Sequence, residues 1–140
     1  MPLLSTLSDA FFQCFFIPAP TLTEGSLPSQ AGRIFIVTGG YTGIGEELVK
    51  ILYQKHGTVY VAGRPSEKAR LALEEIRNSF PSSDGRLEFL ELDLADLRTI
   101  KPAVEAFLRK EQRLDVLTCN AGCASPLLAH MLVNPSALGF

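Results

Sequence analysis

The stretch Thr38-Gly39-Gly40-Tyr41-Thr42-Gly43-Ile44-Gly45 follows directly on the apolar run Arg33-Ile34-Phe35-Ile36-Val37. A hydrophobic strand enters a glycine-rich turn. Gly45, Leu48, Val49 and Leu52 then fall at helical spacing. That order suits a nucleotide phosphate. Glycines let the backbone turn tightly and come close to a ligand, and the helix N-terminus aims free N–H groups and a partial positive charge at the anion. In this reading Gly39 makes the tight turn, Gly43 allows close approach to a pyrophosphate, and Gly45 lets helix pack closely on strand.

Outward from this stretch the pattern alternates. Ile34 to Val37 reads as a buried strand, and a helix runs from about Gly43 to His56 with Gly57 as its C-cap. Thr58 to Ala62 is a second strand, rich in β-branched and aromatic residues. Ala69, Ala72, Leu73, Ile76 and Phe80 form the stripe of a second helix, opened by Pro65-Ser66 and stopped by Pro81. Leu87 to Leu92 is a third strand. Leu97, Ile100, Val104, Phe107 and Leu108 mark a third helix, and Pro102 requires that it begin near Thr99. Leu114 to Cys119 is a fourth strand. With right-handed crossovers this β-α-β-α-β-α-β run is α/β: the N-terminal half of a Rossmann-type parallel sheet, about four strands in order 3-2-1-4 with three flanking helices. The crevice then lies outside the carboxyl ends of strands one and four, where the glycine-rich turn meets Asn120-Ala121-Gly122.

Three segments follow: an arm over 1–32, a dinucleotide-binding half-domain over 33–122 and a tail over 123–140. The chain has 140 residues, room for one domain. Its 46% hydrophobic and 20% charged content fits a globular protein rather than a disordered one. A net charge of −2 gives no basic excess to attract nucleic acid or an anionic membrane. Cys14, Cys119 and Cys123 are an odd set without a disulfide framework, which suits a reducing, cytoplasmic location. Cys119 and Cys123 read as ordinary thiols, because neither histidine has ligand spacing with them, and no metal is expected.

The arm carries Phe11-Phe12-Gln13-Cys14-Phe15-Phe16-Ile17, and a short helix is expected over 4–17. No Lys or Arg precedes Arg33, and Asp9 sits where a signal peptide is basic. The apolar run is far shorter than the roughly 20 residues that span a bilayer. The first reading is an arm packed on the domain. Peripheral membrane contact and a cleaved signal are the alternatives.

The second strand ends Val61-Ala62-Gly63-Arg64. An NAD site places a carboxylate here, on the ribose 2′-hydroxyl. Glycine and arginine stand in its place, and Arg64 suits charge-assisted bonds to a 2′-phosphate, which favours NADP over NAD. Ser66 and Lys68 are candidate helpers. Asp93, in Leu92-Asp93-Leu94, sits where a strand-end carboxylate accepts from an adenine amino group; a plain loop aspartate is the bland alternative.

Together, Thr38 to Gly45, Gly63-Arg64, Leu92-Asp93-Leu94 and Asn120-Ala121-Gly122 resemble the short-chain dehydrogenase/reductase family, in its order and spacing, over residues from about 20 to 122. The details are similar to its retinol-dehydrogenase-like and fungal members. The resemblance implies hydride transfer between a nicotinamide cofactor and a small alcohol or carbonyl. It implies cofactor contacts at Thr38, Gly39, Gly43, Ile44, Gly45, Arg64, Asp93, Leu94, Asn120, Ala121 and Gly122. It assigns the Asn120-Ala121-Gly122 segment to steadying the sheet and lining the adenine-ribose side.

The same resemblance implies a catalytic Tyr-x-x-x-Lys pair, a serine after a fifth strand and an asparagine after the fourth. A nearby lysine lowers the tyrosine pKa so that its oxygen can work as acid or base. Tyr41, Tyr53 and Tyr60 are followed four residues on by Gly45, Gly57 and Arg64, so no such pair occurs in the 140 residues. Cys123 to Phe140 departs from the family's continuation, with a short helix expected over 127–133. Ser125, His130 and Asn134 make a weak catalytic set, with no acid evidently placed to orient the histidine. A premature stop, a retained intron or a splice variant is the expected origin of the tail. Three readings follow: a family fragment that keeps an NADP site without turnover, a non-catalytic binding or interaction module, and an enzyme of unfamiliar design. With strand four at a sheet edge, self-association and poor solubility are expected.

Overall fold

The computed structural model describes residues 23–122. The helices expected over 4–17 and 127–133, Cys14, Cys123, and the set Ser125, His130 and Asn134 lie outside these residues. The elements are β1 (Ile34–Thr38), α1 (Gly43–Gln54), β2 (Thr58–Gly63), α2 (Glu67–Ser79), β3 (Arg86–Glu91), α3 (Ile100–Leu108) and β4 (Val116–Thr118). All strand pairs are parallel, in the order β3-β2-β1-β4. Phe35 is in register with Val59 on one side and Val116 on the other.

The strands read as near-continuous apolar runs because helices cover both faces. Phe35, Val37, Val59, Val61 and Leu87 meet Val49, Leu52 and Tyr53 of α1 and Leu73 and Ile76 of α2. The alternate residues Ile36, Tyr60, Ala62 and Leu90 meet Ala103 and Phe107 of α3. Each of these larger side chains contributes about 1.5–3 kcal/mol when fully buried.

Helix ends explain where the elements stop. The α1 helix closes as a Schellman motif: the His56 N–H donates to Tyr53 O at 3.0 Å and the Gly57 N–H to Leu52 O at 3.0 Å. The left-handed position is His56, at φ 70°, and not Gly57. Gly57 serves packing instead, since a Cβ there would sit 3.0 Å from Leu52 O and 3.2 Å from the Phe35 ring. Ser66 caps α2, its Oγ accepting from the Ala69 N–H at 3.2 Å. Asp96 opens a 3₁₀ turn, Leu97–Thr99, that leads into α3 and leaves Pro102 in the first α-helical turn.

Two expectations change. Of the apolar stripe expected on α3, Leu97, Ile100, Val104 and Leu108 are exposed; the residues that meet the sheet are Ala103 and Phe107. Phe107 crosses Tyr60 edge-to-face, with ring centroids 5.0 Å apart. The fourth strand is shorter than its apolar run because Asp115 replaces a rung with its side chain. Its N–H donates to Ile34 O at 3.0 Å while its carboxylate accepts from the Ile34 N–H at 2.8 Å. Upstream of β1, Gln30 is buried; its N–H donates to Lys55 O at 2.7 Å, and its side chain accepts from Arg33 at 2.8 Å.

Candidate cofactor site

The carboxyl ends of β1 and β4 are tied by one buried hydroxyl. Thr38 Oγ1 donates to Thr118 O at 3.3 Å and accepts from the N–H groups of Asn120 at 3.0 Å and Ala121 at 2.9 Å. The Asn120 amide Nδ2 returns the bond, donating to Thr38 O at 3.0 Å. These bonds fix the chain leaving β4 against the chain leaving β1. Thr38 therefore builds the site from below rather than facing a ligand.

The glycines divide the work. Gly39 has φ 65°, and a Cβ on it would lie 3.2 Å from the Ala121 backbone. Gly45 is buried; a Cβ there would collide with the Asn120 amide and lie 2.8 Å from Gly39 O. Gly45 thus makes room for Asn120 on the first turn of α1, a narrower role than general helix–strand packing. Gly43 differs: it has φ 57° and nothing within 4 Å of a built Cβ. The backbone there borders open space.

The start of α1 is also uncapped. Thr42 holds the N-cap position without a side-chain hydrogen bond to the helix, whereas Ser66 caps α2. The first N–H groups of α1 are left for an external acceptor, beside a glycine that admits one. A nucleotide pyrophosphate fits both features. Ile44, 86% exposed, stands on this turn as an apolar surface over the cleft.

The cleft measures about 640 Å³. Gly39, Ile44, Arg64, Asp93 and Leu94 line it together with Asn120, Ala121 and Gly122. The expected site residues therefore converge, except that Thr38 and Gly45 lie beneath the lining and Gly43 sits at the helix start. Arg64 is exposed and has no ion-pair partner among the described residues, unlike Arg70, held by Glu67 and Glu74, and Arg98, held by Asp96. Asp93 is set by its loop: Oδ1 accepts from the Ala95 N–H at 3.0 Å, and Thr99 Oγ1 accepts from the Asp93 N–H at 3.1 Å. Ser66 and Lys68 are not among the cleft residues; the Ser66 hydroxyl is committed to capping α2.

Sequence reasoning missed three residues. Gly40 packs under the turn, where a Cβ would lie 2.8 Å from Val49. Thr99 positions Asp93. Tyr41 lines the cleft and lies against Gly63. Gly40 had a signal in the doubled glycine; Tyr41 and Thr99 had none, because their roles depend on contacts distant in sequence.

The family model for short chain dehydrogenase matches residues 33–134. The chain belongs to the short-chain dehydrogenase/reductase family. A short-chain dehydrogenase/reductase of Phomopsis amygdali is 48% identical over 122 residues, covering 87% of this chain and 36% of that protein. One from Emericella nidulans is 47% identical over 107 residues, covering 76% of this chain and 34% of that protein. The chain thus spans about a third of the length of these relatives. Among solved structures, the Pseudomonas aeruginosa RhlG/NADP active-site complex superposes with a TM-score of 0.61 at 28% identity, over 69% of this chain and 36% of that one. An L-sorbose reductase from Gluconobacter frateurii, complexed with NADPH and L-sorbose, has a TM-score of 0.61 at 21% identity, over 69% of this chain and 36% of that one. That second likeness bears on the short-chain dehydrogenase/reductase fold alone. No helix among the described residues is long and apolar enough to cross a membrane.

Proposed function

We propose that this chain is the cofactor-binding part of an NADP-dependent oxidoreductase that transfers hydride between the nicotinamide and a small carbonyl or alcohol, and that by itself it binds without turnover. The observation that carries the cofactor preference is Arg64. Arg64, without an ion-pair partner among the described residues, lines the cleft at the end of β2, where Gly63 supplies no carboxylate. A 2′-phosphate there meets a cation with free donors and no repelling charge. The RhlG structure was determined as an NADP complex, which supports the same preference.

When bound, the nicotinamide dinucleotide supplies or accepts the hydride. This chain's residues bind and orient it. The uncapped first turn of α1 receives the pyrophosphate, Gly43 admits it, and Arg64 takes the 2′-phosphate. Asp93 accepts from the adenine amino group. Asn120 to Gly122 line the ribose side, on a strand end held by Thr38. The Tyr-x-x-x-Lys pair that would hold and move the substrate proton does not occur in these 140 residues.

Calorimetric titration with NADPH and NADH, with wild type and Arg64→Gln, tests the preference. The expected result is a loss of about tenfold or more in NADPH affinity with NADH unchanged, the scale of a lost charge-assisted bond. Equal effects on both nucleotides would contradict it. NADPH absorbance should stay constant with a panel of carbonyl substrates; steady consumption would overturn the proposal of binding without turnover. A non-catalytic NADP-binding or protein-interaction module is the second reading, favoured by the exposed Val104 and Leu108 of α3 and Leu117 of β4. A cytoplasmic location and the division at residues 32 and 122 belong to the same proposal.

A further inference from the structure

Gly63 ends β2, where a side chain would project on the same face as Val59 and Val61, toward α1 and α2. The Tyr41 ring already fills that space. A Cβ built on Gly63 collides with Tyr41 Cε1 and lies 3.2 Å from both Cζ and the phenol oxygen. Tyr41 is half-buried on the core beneath α1, and it lines the cleft with Gly63 and Arg64. Its hydroxyl therefore sits over the end of β2, one residue before the guanidinium.

We infer that Tyr41 is a specificity-determining residue for the group on the nucleotide's ribose 2′ position, and that it acts in two ways. Its ring occupies the volume that an acidic side chain at position 63 would need, so the site has no room there for the carboxylate that reads a 2′-hydroxyl. Its phenol donates to a 2′-phosphate beside Arg64, adding a neutral donor to the charged one. Tyrosine suits both tasks, because the flat ring can close over a bare backbone while its polar tip stays at the cleft. The inference rests on the NADP reading above and names the residue that enforces it.

Calorimetric titration of the whole 140-residue chain with NADP⁺ and NAD⁺ separates the two levels. If wild type binds NADP⁺ no more tightly than NAD⁺, the NADP reading fails and this inference falls with it. If the preference holds, Tyr41→Phe keeps the ring and deletes the hydroxyl. NADP⁺ affinity should then drop about five- to tenfold while NAD⁺ affinity stays the same. An equal change for both nucleotides, or none, overturns the phenol's role and leaves the NADP reading standing. The steric role has its own readout. Gly63→Asp should lower the melting temperature, and adding Tyr41→Ala should restore part of it and raise NAD⁺ affinity above that of Tyr41→Ala alone. A Gly63→Asp chain that melts like wild type, or gains NAD⁺ affinity with Tyr41 in place, overturns the steric role.

Discussion

At the residue scale, glycines of similar sequence context do different work, and substitution separates them. Gly45→Ala places a methyl group in the Asn120 amide, so it should cost about 1–3 kcal/mol in urea unfolding as well as cofactor affinity. Gly43→Ala meets no neighbour and carries only left-handed strain of about 1 kcal/mol, yet its methyl enters the space beside the uncapped helix start. It should therefore lose cofactor affinity with little loss of stability. Thr38→Val keeps the shape and removes the hydroxyl that accepts from Asn120 and Ala121. The Asn120 N–H keeps Thr118 O, at 3.0 Å, but the Ala121 N–H loses its acceptor, which should cost about 1–3 kcal/mol in the same unfolding measurement. The glycines and Asn120 were legible as residues because few others fit a strand–turn–helix junction. Their division of labour was not, because it depends on which atoms approach each α-carbon from across the sheet.

At the element scale, the strands and helices were legible where apolar period and burial coincide, as in β1, α1 and α2. The α3 stripe misled because all of its large apolar residues but Phe107 are exposed, and helical period alone cannot tell which side is covered. The length of β4 misled because Asp115 satisfies Ile34 with its side chain, an exchange no strand propensity records. Ser66→Ala removes the α2 cap and should cost about 1 kcal/mol, read as a lower midpoint in urea. Tyr60 joins three elements: its ring packs on Phe107, and its hydroxyl donates to Glu111 at 2.8 Å and accepts from Arg86 at 3.1 Å. Burial pushes the Tyr60 phenol up from its ordinary value, and Arg86 opposes that. The folded state then favours the neutral phenol. Its contribution is complete below the unfolded tyrosine pKa of about 10 and is lost as pH rises through the folded value. At the acid end, Arg70 holds Glu67 low and Arg98 holds Asp96 low, so these exposed pairs contribute above the carboxylate range and lose their effect as pH falls. A thermal melt series across pH should show a plateau between about pH 5 and 9, and Tyr60→Phe should flatten its alkaline limb.

At the scale of the whole molecule, the fold carries two unlike kinds of surface. The carboxyl end of the sheet gathers the cleft, the uncapped start of α1 and Arg64, which has no ion-pair partner among the described residues. Elsewhere Leu117 of β4, at 54% exposure, and Val104 and Leu108 of α3 are in contact with water. Exposed apolar side chains, with β4 at the edge of the sheet among the described residues, favour association through apolar contact. Light scattering after size exclusion should find the 140-residue chain as more than a monomer, and Leu117→Lys should shift it toward the monomer. A monodisperse wild-type monomer would count against this. The cleft does not draw on those side chains, so cofactor binding should survive in the Leu117→Lys chain.

The most direct measurement of the central claim is a calorimetric titration of the wild-type 140-residue chain with NADP⁺ and, in parallel, NAD⁺. The account predicts saturable one-to-one binding of NADP⁺ at least about tenfold tighter than NAD⁺. Binding of neither nucleotide, or equal binding of both, would contradict it.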